Sequence, residues 1–226
     1  MTARRRPPAS VPSRAAAPGD ALLIATFNPG KMRELVRLLA GIGAACITLH
    51  DCGIEAPYEE TGTTYEENAR GKALHYARLA RRAAVADDSG LEVDALGGAP
   101  GPLSARYGGP GADDAARRRR LLDALKDAPD ERRTARYVAV AAIARPDGAV
   151  RTFRGVCEGR IARAPRGTGG FGYDPLFYYP PYRATFAEIP DGRKDAVSHR
   201  GAAFRRLVAF LETEEGRSFR PAGARL

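Results

Sequence analysis

The feature that most constrains this chain is a short apolar run, Ala83-Ala84-Val85-Ala86, that stops at two adjacent carboxylates, Asp87 and Asp88, followed by Ser89 and Gly90. Such a run reads as a buried strand with its acids at the end. Successive strand side chains point to opposite faces, so Asp87 and Asp88 cannot both reach one ligand from a regular strand. A turn at Ser89-Gly90 would bring both to it, one acid working and the other supporting. The same residues also fit a plain hairpin in which Asp88-Ser89-Gly90 turns the chain into a second strand, Leu91-Glu92-Val93. Residues 83–93 alone leave both readings open.

With 226 residues, 44% of them hydrophobic, the chain can bury one sizeable core and needs no second domain. One α/β unit is expected over 21–212, between an Arg-, Pro- and Ala-rich tail, 1–20, expected to be disordered, and a basic C-terminal tail, 213–226. The formal charge of +9 invites a nucleic-acid reading, but six of the nine excess charges fall in residues 1–20 and 216–226. The run Arg117-Arg118-Arg119-Arg120 is expected to be the solvated face of a helix, and no dedicated nucleic-acid partner is expected. Three scattered cysteines, Cys46, Cys52 and Cys157, fit a reducing compartment and lack zinc-type spacing. No stretch of 18 apolar residues suggests a membrane span. The N-terminus has the charged start of a signal peptide but no apolar core before Asp20, and its Arg, Ser and Ala content also resembles a transit peptide. The expected location is the cytoplasm.

Taken in order, Ala21 to Phe27 is a strand broken by Asn28-Pro29-Gly30, and Lys31 opens an amphipathic helix carrying Met32, Leu35, Val36, Leu38 and Leu39. A strand, a tight glycine turn and a helix N-terminus carrying Lys31 make an anion site, since free backbone N–H groups and the positive dipole end face the turn, although ordinary βα connections look the same. The motif is not a Walker loop. After a strand at 45–49 and an acidic loop with Asp51, Glu55, Glu59 and Glu60, a helix runs from Tyr65 to about Arg82, with Thr63-x-x-Glu66 and Thr64-x-x-Glu67 both matching a capping box. Asn68 and Lys72 lie four apart and share a face of it. A helix over 112–126 precedes two long strands, 134–145 and 149–161, joined by Pro146-Asp147-Gly148. The glycine-rich loop Gly167 to Pro175 holds Phe171 as either a packing plug or a platform for a flat ligand. Ser198 suits the N-cap of the last helix. His199 and Arg200 then sit against the helix dipole, which suggests an anionic or acceptor-rich partner.

Several segments resemble the inosine triphosphate pyrophosphatase family, also called Ham1-like or RdgB-like. They are Thr26-Phe27-Asn28-Pro29-Gly30-Lys31, Glu67-Asn68-Ala69 with Lys72-Ala73, Ala86-Asp87-Asp88-Ser89-Gly90-Leu91, Gly98-Ala99-Pro100-Gly101, Ser104-Ala105-Arg106-Tyr107, Gly169 to Pro175 and Ser198-His199-Arg200-Gly201. They stand in the family's order over residues 22 to about 212. The resemblance implies a two-lobed α/β fold, an elongated mixed sheet flanked by helices around a central nucleotide cleft, and a homodimer. It also implies Mg²⁺-dependent hydrolysis of deaminated purine nucleoside triphosphates (ITP, dITP, XTP) to the monophosphate and pyrophosphate. Asp88 matches the general base and a metal ligand, and Glu59 a second metal ligand. Thr26, Phe27, Asn28, Pro29, Gly30, Lys31, Lys72 and Ser89 match the phosphate-binding set. Phe171, Gly172, Tyr173, Asp174, Lys194, His199 and Arg200 match the base pocket. Phe27, often smaller in the family, and the long N-terminal tail are departures.

Elementary chemistry agrees with those roles. A metal held by carboxylates would offset the polyphosphate charge, a carboxylate near the attacking water would accept its proton, and lysines would stabilise the leaving pyrophosphate. A donor from His199 or Arg200 would suit the 6-keto oxygen of hypoxanthine or xanthine and reject the 6-amino group of adenine. Guanine carries the same 6-keto oxygen, so this argument separates adenine alone. Two alternatives are a Maf-type pyrophosphatase acting on pyrimidine nucleotides and a basic protein whose affinity for nucleic acid falls with salt.

Overall fold

The computed structural model describes residues 21–221, in which one seven-stranded sheet has the order β2-β1-β3-β4-β5-β6-β7. Strand β1 (Ala21–Ile24) is parallel to β2 (Ala45–Thr48) and to β3 (Ala84–Val93), the connections running through helix α1 (Pro29–Leu38) and helix α2 (Tyr65–Ala80). The other strands, β4 (Thr134–Ala144), β5 (Val150–Ile161), β6 (Phe177–Tyr179) and β7 (Ala184–Thr185), are antiparallel to their neighbours. Helix α3 (Asp114–Ala124) precedes β4, and α4 (Asp191–Val197), α5 (His199–Glu212) and α6 (Glu214–Arg217) follow the sheet.

The local chemistry of the elements is plain. Asn28 caps α1, and the Thr64–Glu67 pair forms the capping box of α2, with bonds of 3.1 Å in both directions. Of the two candidate boxes, the one starting at Thr63 is not used as such, because Thr63 also donates to Glu67. Strands β4 and β5 meet as a hairpin closed at Arg145–Ala149, where Gly148 takes φ +100°, a left-handed value that glycine adopts without strain.

Three apolar clusters hold the sheet. On one face α2 packs Ala69, Ala73, Tyr76 and Ala77 against Leu23, Ala84 and Ala86. On the other, Leu35 of α1 and Leu39 just after it join Phe204, Leu207 and Leu211 of α5 against Leu22, Ile24 and Val85. Beyond Asp88 the same long strands enter a third cluster, where Leu91, Val93 and Tyr137 meet Leu121, Phe177 and Phe186. The two lobes are therefore the two halves of one elongated sheet.

The acid pair lies between them. Contrary to both readings of 83–93, β3 neither turns at Ser89 nor forms a hairpin, but pairs with β4 without a break from Ala84↔Ala144 to Val93↔Ala135. Alternation then separates the acids: Asp87 follows Val85 to the α1 and α5 face, and Asp88 follows Ala86 to the α2 face. A cleft opens because β1 pairs with β3 only at Ala84 and Val85, so the chain from Thr26 to Asn28 peels away where the carboxylates begin. Ligand crevices form at such carboxyl ends of parallel strands.

The packed structure also continues past the expected boundary at 212. Helix α6 follows α5, and Phe219 is buried in the α5 cluster. The expected tail 1–20 lies outside the described residues.

Candidate active site

Two adjoining cavities fill the cleft, and Asn28, Lys31, Ser89 and Ala105 line both. The first, of about 240 Å³, lies on the α2 side between Thr26, Phe27, Glu60, Lys72, Asp88 and Arg106. The second, of about 100 Å³, is walled by Phe171 to Asp174, Lys194, His199, Arg200, Tyr137 and the first turns of α3.

In the first cavity Asp88 is held from two sides. Asn68, buried on α2, donates to Oδ2 at 3.0 Å and accepts from the Gly62 amide at 2.8 Å, while the Ser89 amide donates to Oδ1 at 2.8 Å. Burial pushes the Asp88 carboxyl above its ordinary pKa, with Lys31 opposing and Glu60 adding to the rise. Lys31 and Lys72 both donate to the Asp87 carbonyl, at 3.3 and 3.1 Å, and Lys72 is ion-paired with Glu60. Burial lowers the Lys31 pKa; at Lys72 burial is outweighed by Glu60 and Asp87, so its ammonium is held above the ordinary value. The amides of Gly30 and Lys31 are occupied by the Asn28 side chain, at 2.8 and 3.0 Å. The β1–α1 turn therefore offers the cavity the Lys31 ammonium, while those two amides are already satisfied.

Of the two candidate glutamates, it is Glu60 that lines the cavity. Glu59 is exposed and lines neither compartment, whereas Glu60 is half-buried and meets Lys72 and, at 3.8 Å, Arg106. Adjacent residues of an extended loop point opposite ways, so the sequence could not tell which glutamate faces inward. Pro29 is exposed at the start of α1 and Gly30 lies beneath the Phe171 ring, where a Cβ would come within 2.6 Å of it. The other residues of the expected phosphate set line the first cavity, and the whole expected base set lines the second.

Beneath the second cavity runs a chain of alternating buried charges: Asp174, Lys194, Glu34, Arg200, Asp87, Lys31. Lys194 pairs with Asp174 and, at 2.8 Å, with Glu34; Arg200 pairs with Glu34 and, at 3.1 Å, with Asp87; Asp87 meets Lys31 at 3.2 Å. Burial alone would raise the Glu34 carboxyl, but Arg200 and Lys194 outweigh it and hold it at about 2. Lys31, Arg200 and Lys72 likewise overcome burial at Asp87 and keep it well below the usual carboxylate range. The anionic partner expected beside Arg200 is thus largely supplied by the protein. Its side chain also donates to Ser89 Oγ at 2.8 Å, so three of its five N–H groups are committed. His199 stacks on Tyr137 with ring centroids 4.5 Å apart, burial keeps it neutral, and its Nδ1 has no partner among the described residues. Phe171 lies over Lys194 and Arg200, at 5.3 and 5.6 Å, as a flat face above a cationic floor.

Glu34 was not singled out from the sequence, although Gly30 and Glu34, four apart on α1, share its buried face. Arg117 and Arg118 correct the expectation of a solvated arginine face, since both are half-buried and bond to Ala105 and Gly172 backbone oxygens; Arg119 and Arg120 are exposed.

Comparison with known proteins falls in line with this geometry. A profile of the Ham1 family matches residues 22–210. A dITP/XTP pyrophosphatase of Thermus thermophilus is 50% identical over 190 residues, covering 84% of this chain and 91% of that protein. One from Desulforamulus reducens is 47% identical over 190 residues, covering 84% and 94%. The solved structure of a HAM1 protein from Coxiella burnetii superposes with a TM-score of 0.77 at 41% identity, over 84% of this chain and 98% of that one. The Staphylococcus aureus Ham1 protein gives 0.76 at 38%, over 85% and 98%. Matched across nearly its whole described length in sequence and in fold, this chain belongs to the Ham1 family.

Proposed function

We infer that this protein hydrolyses deaminated purine nucleoside triphosphates to the nucleoside monophosphate and pyrophosphate, clearing ITP, dITP and XTP from the nucleotide pool. The observation that carries this reading is the continuity of the two cavities: carboxylates and lysines line one, a flat aromatic and hydrogen-bonding groups line the other, and Asn28, Lys31, Ser89 and Ala105 belong to both. A triphosphate and its base would need that arrangement.

Asp88 and Glu60 share the first cavity, and among the described residues no cluster of three or more His, Cys, Asp or Glu side chains forms a closed metal cage. Two carboxylates beside a phosphate site suit Mg²⁺, which keeps several waters and takes further oxygens from substrate. Asp88 and Glu60 would hold the ion, which supplies charge neutralisation along the polyphosphate. The second ligand role falls to Glu60 because Glu59 faces solvent.

Water attacks the α-phosphorus and the bond to the β-phosphate breaks. Asp88, oriented by Asn68, accepts the water's proton, and Lys31 and Lys72 stabilise the negative charge on departing pyrophosphate. The purine lies against Phe171. Its 6-keto oxygen takes a hydrogen bond from His199, Lys194 or a remaining Arg200 N–H, and adenine would leave that donor unpaired.

Assembly as a homodimer and residence in the cytoplasm belong to the same proposal, the first tested by light scattering on the purified chain. The central test follows pyrophosphate and orthophosphate separately, with Mg²⁺ and then with chelator, over ITP, XTP, GTP, ATP and TTP. The expected result is Mg²⁺-dependent pyrophosphate release from ITP and XTP. Fastest release from TTP would favour a Maf-type activity, and orthophosphate as first product would overturn the reaction.

A further inference from the structure

The loop carrying Phe171 is held from within by Asp174, which accepts from the Phe171 amide at 2.9 Å and donates its own amide to the Phe171 carbonyl at 3.1 Å, and by further tethers from outside. Residues 167–172 include four glycines, of which Gly167, Gly170 and Gly172 have φ of +79°, +67° and +61°. A segment of this composition fixes little of its own geometry, since glycine roams a wide range of backbone conformations. Yet a stacking ring must be placed to within a fraction of an ångström to select a base.

Helix α3 supplies two of the tethers. Asp114 Oδ2 accepts from the Gly172 amide at 2.7 Å, and Arg118 Nη1 donates to the Gly172 carbonyl at 2.8 Å. Both backbone groups of the residue after Phe171 are thus gripped by side chains four apart on one helix face. Neither side chain is needed to start the helix, because Asp113 is its N-cap, accepting from Ala116 at 2.7 Å. Asp114 is itself steadied: Arg117 pairs with its other oxygen and donates to the carbonyls of Ala105 and Ala112, at 2.9 and 2.7 Å. Ala105 lines both cavities, so the clamp ties the wall they share to the aromatic loop.

We propose that Asp114 and Arg118 are positioning residues for base recognition, acting through the Gly172 backbone to hold Phe171 where the purine stacks. This rests on the reading of the second cavity as the base site. Loosening the clamp weakens binding of the base without touching the groups that activate water.

The chain contains no tryptophan, so Phe171→Trp creates a single fluorescent reporter at the point in question. With Mg²⁺ present, inosine monophosphate is expected to quench it. Adding Asp114→Asn or Arg118→Ala should raise the half-quenching concentration about tenfold, as loss of one or two charge-assisted bonds implies. Arg118→Lys should restore part of it. With Phe171 intact, the same substitutions should raise KM for ITP by a similar factor while kcat stays within about twofold. Unchanged quenching and unchanged KM in variants that melt as the parent does would overturn the clamp, as would a fall in kcat at constant KM. A Phe171→Trp protein that still hydrolyses ITP but shows no quenching would instead overturn the base site itself.

Discussion

The two cavities use charge in opposite ways. On the α2 side, Asp88, Glu60, Lys31 and Lys72 line open space: Lys72 pairs with Glu60 and Lys31 with Asp87, yet all four side chains also face the cavity. On the α5 side, Asp174, Lys194, Glu34, Arg200 and Asp87 are spent on one another in a buried row, and the ligand meets an aromatic face and a few spare donors above it. On the proposed reading, charge facing the cavity would act on phosphate, and charge locked in a row would build the floor beneath the base. The first should be sensitive to substitution in rate, the second in stability and affinity.

The contrast is broken most severely at Asp88. Asp88→Asn should leave the melting temperature nearly unchanged and lower kcat for ITP by about 10³-fold or more, read as pyrophosphate release. A variant keeping a tenth of parental turnover would remove Asp88 from the role of base. On the other side, Arg200→Ala strips one of two cationic partners from each of Glu34 and Asp87 and should cost about 3 kcal/mol in urea unfolding, besides raising KM for ITP. If stability held, the buried row would not be the scaffold described here.

The pH dependence of stability sharpens the same point. Because Glu34 is depressed to about 2 in the folded chain, its contribution of roughly 3 kcal/mol is present above about pH 4.5 and is lost as pH falls toward 2. Melting temperature should therefore drop across that window, and Glu34→Gln should drop less steeply; equal slopes would count against the pairing. The smallest contrast lies between neighbours. Glu60→Gln should lower turnover at fixed Mg²⁺ on the order of 100-fold, whereas Glu59→Gln should change it less than twofold, since only Glu60 faces the cavity.

Much of this was legible in the residues because it is local. The Asn28 cap, the Thr64–Glu67 box, the Pro146-Asp147-Gly148 hairpin and the Ser198 cap depend on side chains a few positions apart. What was missed depends on distant partners. Glu34 is explained by Lys194 and Arg200, about 160 positions away, and Arg118 by Gly172, 54 away. The course of β3 through Ser89 and Gly90 was obscured for the same reason. Gly90 reads as a turn residue, yet it is needed because a Cβ there would come within 2.2 Å of the Gly101 carbonyl. The two- and three-residue strands β7 and β6 are too short for any periodic pattern, and they form where Phe177 and Phe186 pack on Tyr137.

The unbroken β3–β4 ladder has a mechanical corollary. Ten consecutive residue pairs run from one half of the described sheet to the other and join those halves into one stiff spar. The stretch around Phe171 is lashed to that spar through Asp174, which accepts from the Phe171 amide and from the Tyr137 hydroxyl of β4, and to α3 at Gly172.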